Sequence, residues 1–206
     1  DIYHFYQSSL IPAGLPISHN LTKGLDIPLI RLRGGRVIYR FTGWEIRNRE
    51  LDLIRNPYSP FKHGSDGCPD PENRDRYVNF LRQHVDAFVV TDPQMQEGIP
   101  EARIIPRILN LADFQEVGIE RPLRPLVVHA PSNRNAKGSE YILKALDACK
   151  RMGADFDLQL VENMPFAEAL EYYKRADLII DQALIGWHGV LAIECMAMGK
   201  PVAVYM

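Results

Sequence analysis

A glycine turn, a lone carboxylate and a closing Gly-Lys-Pro make Gly186-Trp187-His188-Gly189-Val190-Leu191-Ala192-Ile193-Glu194-Cys195-Met196-Ala197-Met198-Gly199-Lys200-Pro201-Val202 the stretch best suited to chemistry. An apolar run, Leu178-Ile179-Ile180, precedes it and another, Pro201-Val202-Ala203-Val204, ends it. The spacing predicts a βαβ unit whose helix opens at Gly189 and stops at Gly199. A helix start carries unpaired N–H groups and a partial positive charge, a natural seat for phosphate. Glu194, five residues beyond Gly189 and about one and a half turns along, is placed to accept hydrogen bonds from sugar hydroxyls. Its neighbours Leu191, Ile193, Cys195 and Met196 are apolar, so the carboxylate needs a partner: a ribose diol, or a basic residue on a neighbouring helix. Trp187 and His188 share the turn and either line a sugar pocket or pack. Lys137, with Arg134 just before it, follows a strand and loop and opens a helix. Two cations there suit a diphosphate; the bland reading is a solvated helix start, since the loop does not match a Walker A pattern.

Other polar residues give weaker signals. His4 alternates with Tyr3 and Phe5 on a strand, as a cleft residue or, the expected case, a satisfied core histidine. Glu45 and Arg47 follow a glycine after a strand, as acceptor contacts or a surface ion pair. Asp181 and Gln182 end the 178–180 strand and face the cleft by the strand-end rule. No catalytic group and no metal site is identifiable.

The elements that must hold these residues alternate. After residue 125 they are a strand at 126–129, a helix at 137–152 with Tyr141, Leu143, Leu146 and Cys149 on its apolar face, and a strand at 156–161. A helix at 165–175 with Phe166, Leu170 and Tyr173 on one side, a strand at 178–180, a helix at 189–198 and a strand at 202–204 follow. Such alternation means parallel strands joined by right-handed crossovers, with ligands beyond the strands' carboxyl ends. Before it come strands at 2–6, 37–41, 87–90 and 103–105, helices at 20–33 and 74–85, and a Pro/Gly/Asp/Ser-rich loop at 56–73. The paired prolines of Glu120-Arg121-Pro122-Leu123-Arg124-Pro125 set the expected boundary, giving domains 1–119 and 120–206. The chain opens at Asp1 in a strand and stops at Met206 on another, so both ends read as cuts through a larger fold.

Composition narrows the class. At 206 residues with a net charge of −2, nothing electrostatic favours nucleic acid. Cys68, Cys149 and Cys195 are odd in number and far apart, which speaks against zinc and a disulfide framework and for a reducing cytoplasm. No apolar run approaches the roughly 20 residues of a membrane span.

The terminal segment resembles the retaining GT-B glycosyltransferases, which carry a Glu-x7-Glu motif in a pattern like E-G-F-G-L-x-x-x-E-A-M-A-x-G-x-P-V. Gly189, Glu194, Met196, Ala197, Gly199, Pro201 and Val202 fall on it in register. Ile99–Phe114 resembles the family's passage into its interdomain linker, and Asp86–Thr91 one of its strands. Ala130–Gly138 resembles its phosphate-binding loop ending in Lys-Gly, and Arg36–Arg47 the segment holding His-Gly-x-Asp-x-Arg. The resemblance implies two Rossmann-like doubly wound α/β domains, both truncated: an acceptor-side one and a nucleotide-sugar-binding one. It implies a glycosyltransferase moving a sugar from a nucleotide-diphosphate donor to a glycan, lipid or small-molecule acceptor, with no cofactor. Donor binding would fall to Arg134, Lys137, Trp187, His188, Gly189 and Glu194, and acceptor contacts to His4, Thr42 and Glu45. The pattern departs at Gly186, where the first glutamate belongs, at Ser132 for the arginine before the lysine, and at Thr42 and Glu45 for the His and Asp. These departures keep open a second reading, a non-catalytic nucleotide-sugar-binding or interaction module of the same fold.

Overall fold

The computed structural model describes residues 1–6, 24, 26–63, 69–118 and 122–206. Cys68, Glu120, Arg121 and most of the 20–25 part of the expected first helix lie outside the described residues. The chain divides into two compact units, Asp1–Asp52 with Asp66–Pro106, and Leu53–Ser65 with Arg107–Met206. Packing therefore changes before the expected 119/120 boundary. Residues 114–118 join the second unit because Phe114 packs on its core, Val117 N–H bonds Met198 O at 3.2 Å, and Lys200 Nζ bonds Gly118 O at 2.8 Å.

The first unit holds strands β1 (Ile2–Tyr6), β2 (Arg36–Arg40), β3 (Ala87–Val90) and β4 (Arg103–Ile104). They form a parallel sheet in the order β1-β2-β3-β4. Its helices are α1 (Asp26–Leu32), α2 (Arg49–Arg55, which runs on into the second unit's segment), α3 (Pro71–Arg82) and α4 (Pro93–Gln96). The order runs one way among the described residues, so the doubly wound pattern expected here is not seen in this sheet. Phe5, Val37, Tyr39, Phe41, Phe88 and Val90 meet Ile27, Val78 and Leu81 in one core. Helix α3 starts three residues before the expected 74 because Asp70 caps it, accepting from Asn73 N–H at 3.3 Å, and Pro71 takes its first turn.

The second unit holds β5 (Leu126–His129), α5 (Arg134–Lys137), α6 (Ser139–Arg151), β6 (Asp157–Leu160), α7 (Phe166–Arg175), β7 (Leu178–Ile180), α8 (Val190–Ala197) and β8 (Val202–Ala203). All four strands are parallel in the order β6-β5-β7-β8, as the alternation predicts. The order reverses between β5 and β7, the switch point where open α/β sheets bind ligands. Val127 and Val128 are both buried on opposite faces of β5. Val128 packs with Tyr173 of α7 and Cys195 of α8, and Val127 with Ile142 and Leu146 of α6. Each such apolar side chain contributes about 1.5–3 kcal/mol when fully buried.

Two helix faces differ from the expected ones. On α6 the buried apolar residues are Ile142 and Leu146, while Tyr141 and Cys149 are exposed. Gly138, at φ +74°, ends α5 and precedes α6, so the helix expected from 137 starts at Ser139. On α7 Ala169 and Tyr173 are buried and Phe166 is exposed. No helix among the described residues is long and apolar enough to cross a membrane.

Both sheets are pinned in the same way. Asp86, just before β3, accepts Val37 N–H at 2.7 Å, and Asp177, just before β7, accepts Leu126 N–H at 2.7 Å. That bond, and after it Arg36, holds the Asp86 carboxyl below its usual range. In the first unit Arg47 is buried against Asp92 at 3.1 Å and bonds Gln94, which bonds Asp52. Gly98 closes this region, since a Cβ there would lie 1.9 Å from Ile46 O. A backbone oxygen that close cannot yield, so Gly98→Ala is expected to destabilise the first unit by at least about 2 kcal/mol in urea unfolding. An unchanged midpoint would show that the Ile46 turn adapts.

Candidate functional site

The loops after β5 and β7 meet at the switch point. Asn133 caps α5 by accepting Ala136 N–H at 3.0 Å, and Lys137 is the last residue of that short helix, not the opening residue expected, because Gly138 ends it in a left-handed conformation. A Cβ on Gly138 would fall 2.7 Å from Leu184 Cγ, so the chain passes here only as glycine. The Lys137 ammonium turns inward, 2.8 Å from Asp181 Oδ1 and 2.5 Å from Gln182 Oε1. The other Asp181 oxygen accepts Gly189 N–H at 2.5 Å, at the start of α8. Lys137 and Gly189 thus converge, as a shared phosphate seat requires. Asp181, fully buried, is what joins them. Gln182 completes the loop, its amide donating to the Trp187 carbonyl.

The remaining candidates for donor binding are placed as follows. Arg134 is held by Glu162 through two bonds, one of 2.7 Å, which keeps the Glu162 carboxyl below its usual range. Glu194 is half-buried with no hydrogen-bond or ion-pair partner among the described residues, and burial raises its carboxyl above the usual range. The neighbouring-helix salt bridge is therefore absent among the described residues. Next to it, burial pushes the Cys195 thiol up to about 12, so this cysteine is packing, not a nucleophile. The Trp187 and His188 rings lie 5.0 Å apart, and His188 Nδ1 is buried without a hydrogen-bond partner among the described residues. Gly186 has room around it: the nearest atom to a Cβ there would be Tyr205 Cε1 at 3.8 Å.

Beside the seat, a groove of about 620 Å³ runs along the carboxyl ends of β7 and β8. Tyr58, His63, Tyr141, Gln182, Leu184 and Tyr205 line it, so Gln182 is common to seat and groove. The 3-10 turn Pro60–His63 forms part of one wall, and Asn56 ties the preceding chain down by donating to Leu184 O at 2.8 Å.

The acceptor-side candidates belong to the first unit, where Thr42 and Glu45 bond each other and His4 bonds neither. His4 is exposed on β1, which corrects the core-histidine expectation: its neighbour Phe5 takes the inward position of the strand. The Glu45 carboxylate folds back to accept the N–H groups of Thr42 at 2.5 Å and Gly43 at 3.1 Å, shaping the turn after β2. Arg47 pairs with Asp92, not as a surface ion pair but in a buried one.

His129 is the polar residue that the sequence hides, because it closes an apolar strand. It is fully buried, with Nδ1 2.7 Å from Ile180 O and Nε2 2.8 Å from Ser139 Oγ. A carbonyl only accepts, so Nδ1 carries the proton and the neutral ring accepts the Ser139 hydroxyl proton at Nε2. The pair locks β5, β7 and the start of α6 beneath Lys137. No protein-family model and no curated protein matches this sequence, so the chemistry rests on this geometry.

Burial, opposed by the Ile180 bond and reinforced by the Lys137 charge, lowers the His129 pKa. The unfolded chain takes up this proton near pH 6.5 and the folded one only below that. Stability is therefore full above about pH 6.5 and is lost as pH falls from there toward the depressed folded value. Urea midpoints across pH 7.5 to roughly 5 should fall less steeply for His129→Asn than for the native chain. Equal slopes would remove His129 as the source.

Proposed function

We propose that this chain binds a nucleotide-diphosphate sugar at the carboxyl edge of the second sheet and transfers its glycosyl group. The acceptor would be a glycan, lipid or small molecule, and the fold that of a retaining GT-B glycosyltransferase. One observation carries the reading: Lys137, the Gly189 N–H and the start of α8 meet at the β5/β7 switch point, with Glu194, unpartnered among the described residues, further along the same helix. As the bond from the anomeric carbon to the diphosphate oxygen breaks, negative charge collects on the leaving diphosphate. A fixed ammonium and the N-terminal end of α8 stabilise that charge where it develops. Glu194, held half-buried, gains the donors it lacks when ribose hydroxyls bond to it. The free thiols of Cys149 and Cys195 fit a cytoplasmic setting.

A second reading is a binding module without turnover. Gly186, at the place of the family's first glutamate and with open space around it, favours that reading. Release of free sugar or transfer to an acceptor by the intact chain supports the enzyme; tight binding without either supports the module.

Replacing Glu194 with Ala should weaken nucleoside diphosphate binding about ten- to a hundredfold in calorimetry while leaving the fold intact. The native affinity should also fall with pH as Glu194 protonates through its raised range. Lys137→Ala should cost the diphosphate much more affinity than the free nucleoside, because only the charged moiety loses its partner. Equal losses for both ligands would mean that Lys137 acts through folding.

A further inference from the structure

The seat between Lys137 and Gly189 already holds an anion, and it is part of the chain. One carboxylate oxygen of Asp181 takes the ammonium at 2.8 Å and the other takes the backbone N–H at 2.5 Å. Two oxygens of one phosphate group would make the same bridge. The fit is close: a Cβ on Gly189 would stand 2.8 Å from Lys137 Nζ and 2.9 and 3.0 Å from the carboxylate oxygens. The surrounding charges cancel. Lys137 is matched by Asp181 and Arg134 by Glu162, so these four side chains present no surplus positive charge to a polyanion.

We infer that Asp181 is an internal stand-in for the ligand's phosphate, displaced from Lys137 and Gly189 when a diphosphate binds. This rests on reading the seat as a diphosphate site, and it makes Asp181 the residue that sets the seat's affinity for anions. The backbone has little part in the exchange, because Asp181 N–H is fixed to Ala203 O at 3.0 Å; the carboxylate leaves by side-chain rotation. A ligand therefore competes with a charged group already in place. An anion that offers fewer contacts than the carboxylate does not displace it. The competition favours ligands that bring further anchors, such as hydroxyls for Glu194, over free phosphate.

Inorganic pyrophosphate titrated calorimetrically into the native chain and Asp181→Asn tests this. The asparagine keeps the shape and removes the charge, and pyrophosphate should bind it about tenfold more tightly. Equal or weaker binding by the folded variant, with native binding intact, overturns the inference and makes Asp181 a fixed strut, leaving the diphosphate reading standing. Absence of binding to both proteins overturns the diphosphate reading and the inference with it. Should the variant not fold, the native chain decides through its Asp181 side-chain carboxyl carbon and Gly189 amide proton resonances. Both should move on saturation with pyrophosphate; if neither moves at saturation, Asp181 is not displaced.

Discussion

Burying a carboxylate costs several kcal/mol unless an opposite charge and hydrogen-bond donors replace the lost water. Asp181, fully buried at the end of β7, has both, in Lys137 and the Gly189 N–H. The loop after β5, the loop after β7 and the start of α8 all meet at this group. Removing one partner of such a buried pair typically costs about 3–5 kcal/mol, because the other charge is left uncompensated. The pair is therefore an expensive arrangement to keep for packing alone. Apolar side chains of similar volume do as well or better in that role.

The layers beneath explain why the geometry holds. β5 and β7 are paired through Val127, Val128 and His129 with Leu178, Ile179 and Ile180, and Asp177 fixes the register at their amino ends. His129 then bonds Ile180 O across the pair and Ser139 Oγ on α6. The apolar contacts contribute most of the stability, whereas these few polar bonds fix where Lys137 and Asp181 stand.

The strands and the βαβ unit around Gly189 were legible in the sequence because short apolar runs between turn residues admit few other readings. Lys137 and Gly189 were legible as a converging pair because both follow strands of one parallel sheet. Other features depended on long-range packing. Gly138 separates α5 from α6, and Leu184, 46 positions later, leaves no room there for a side chain. His129 reads as a strand end, and only the third dimension brings Ser139 to it. Glu45 and Asp181 were visible as polar residues after strands, but not that one shapes its own turn and the other fills the seat. The sequence shows the residue type and position, while the partners of Gly138, His129 and Asp181 lie on other elements.

A crystal structure of the chain with a bound nucleoside diphosphate tests the central claim most directly. The account predicts a phosphate oxygen within hydrogen-bond distance of both Lys137 Nζ and Gly189 N, with a ribose hydroxyl on Glu194. A nucleotide bound elsewhere on the chain, with Lys137, Asp181 and Gly189 joined as they are without it, would contradict the account.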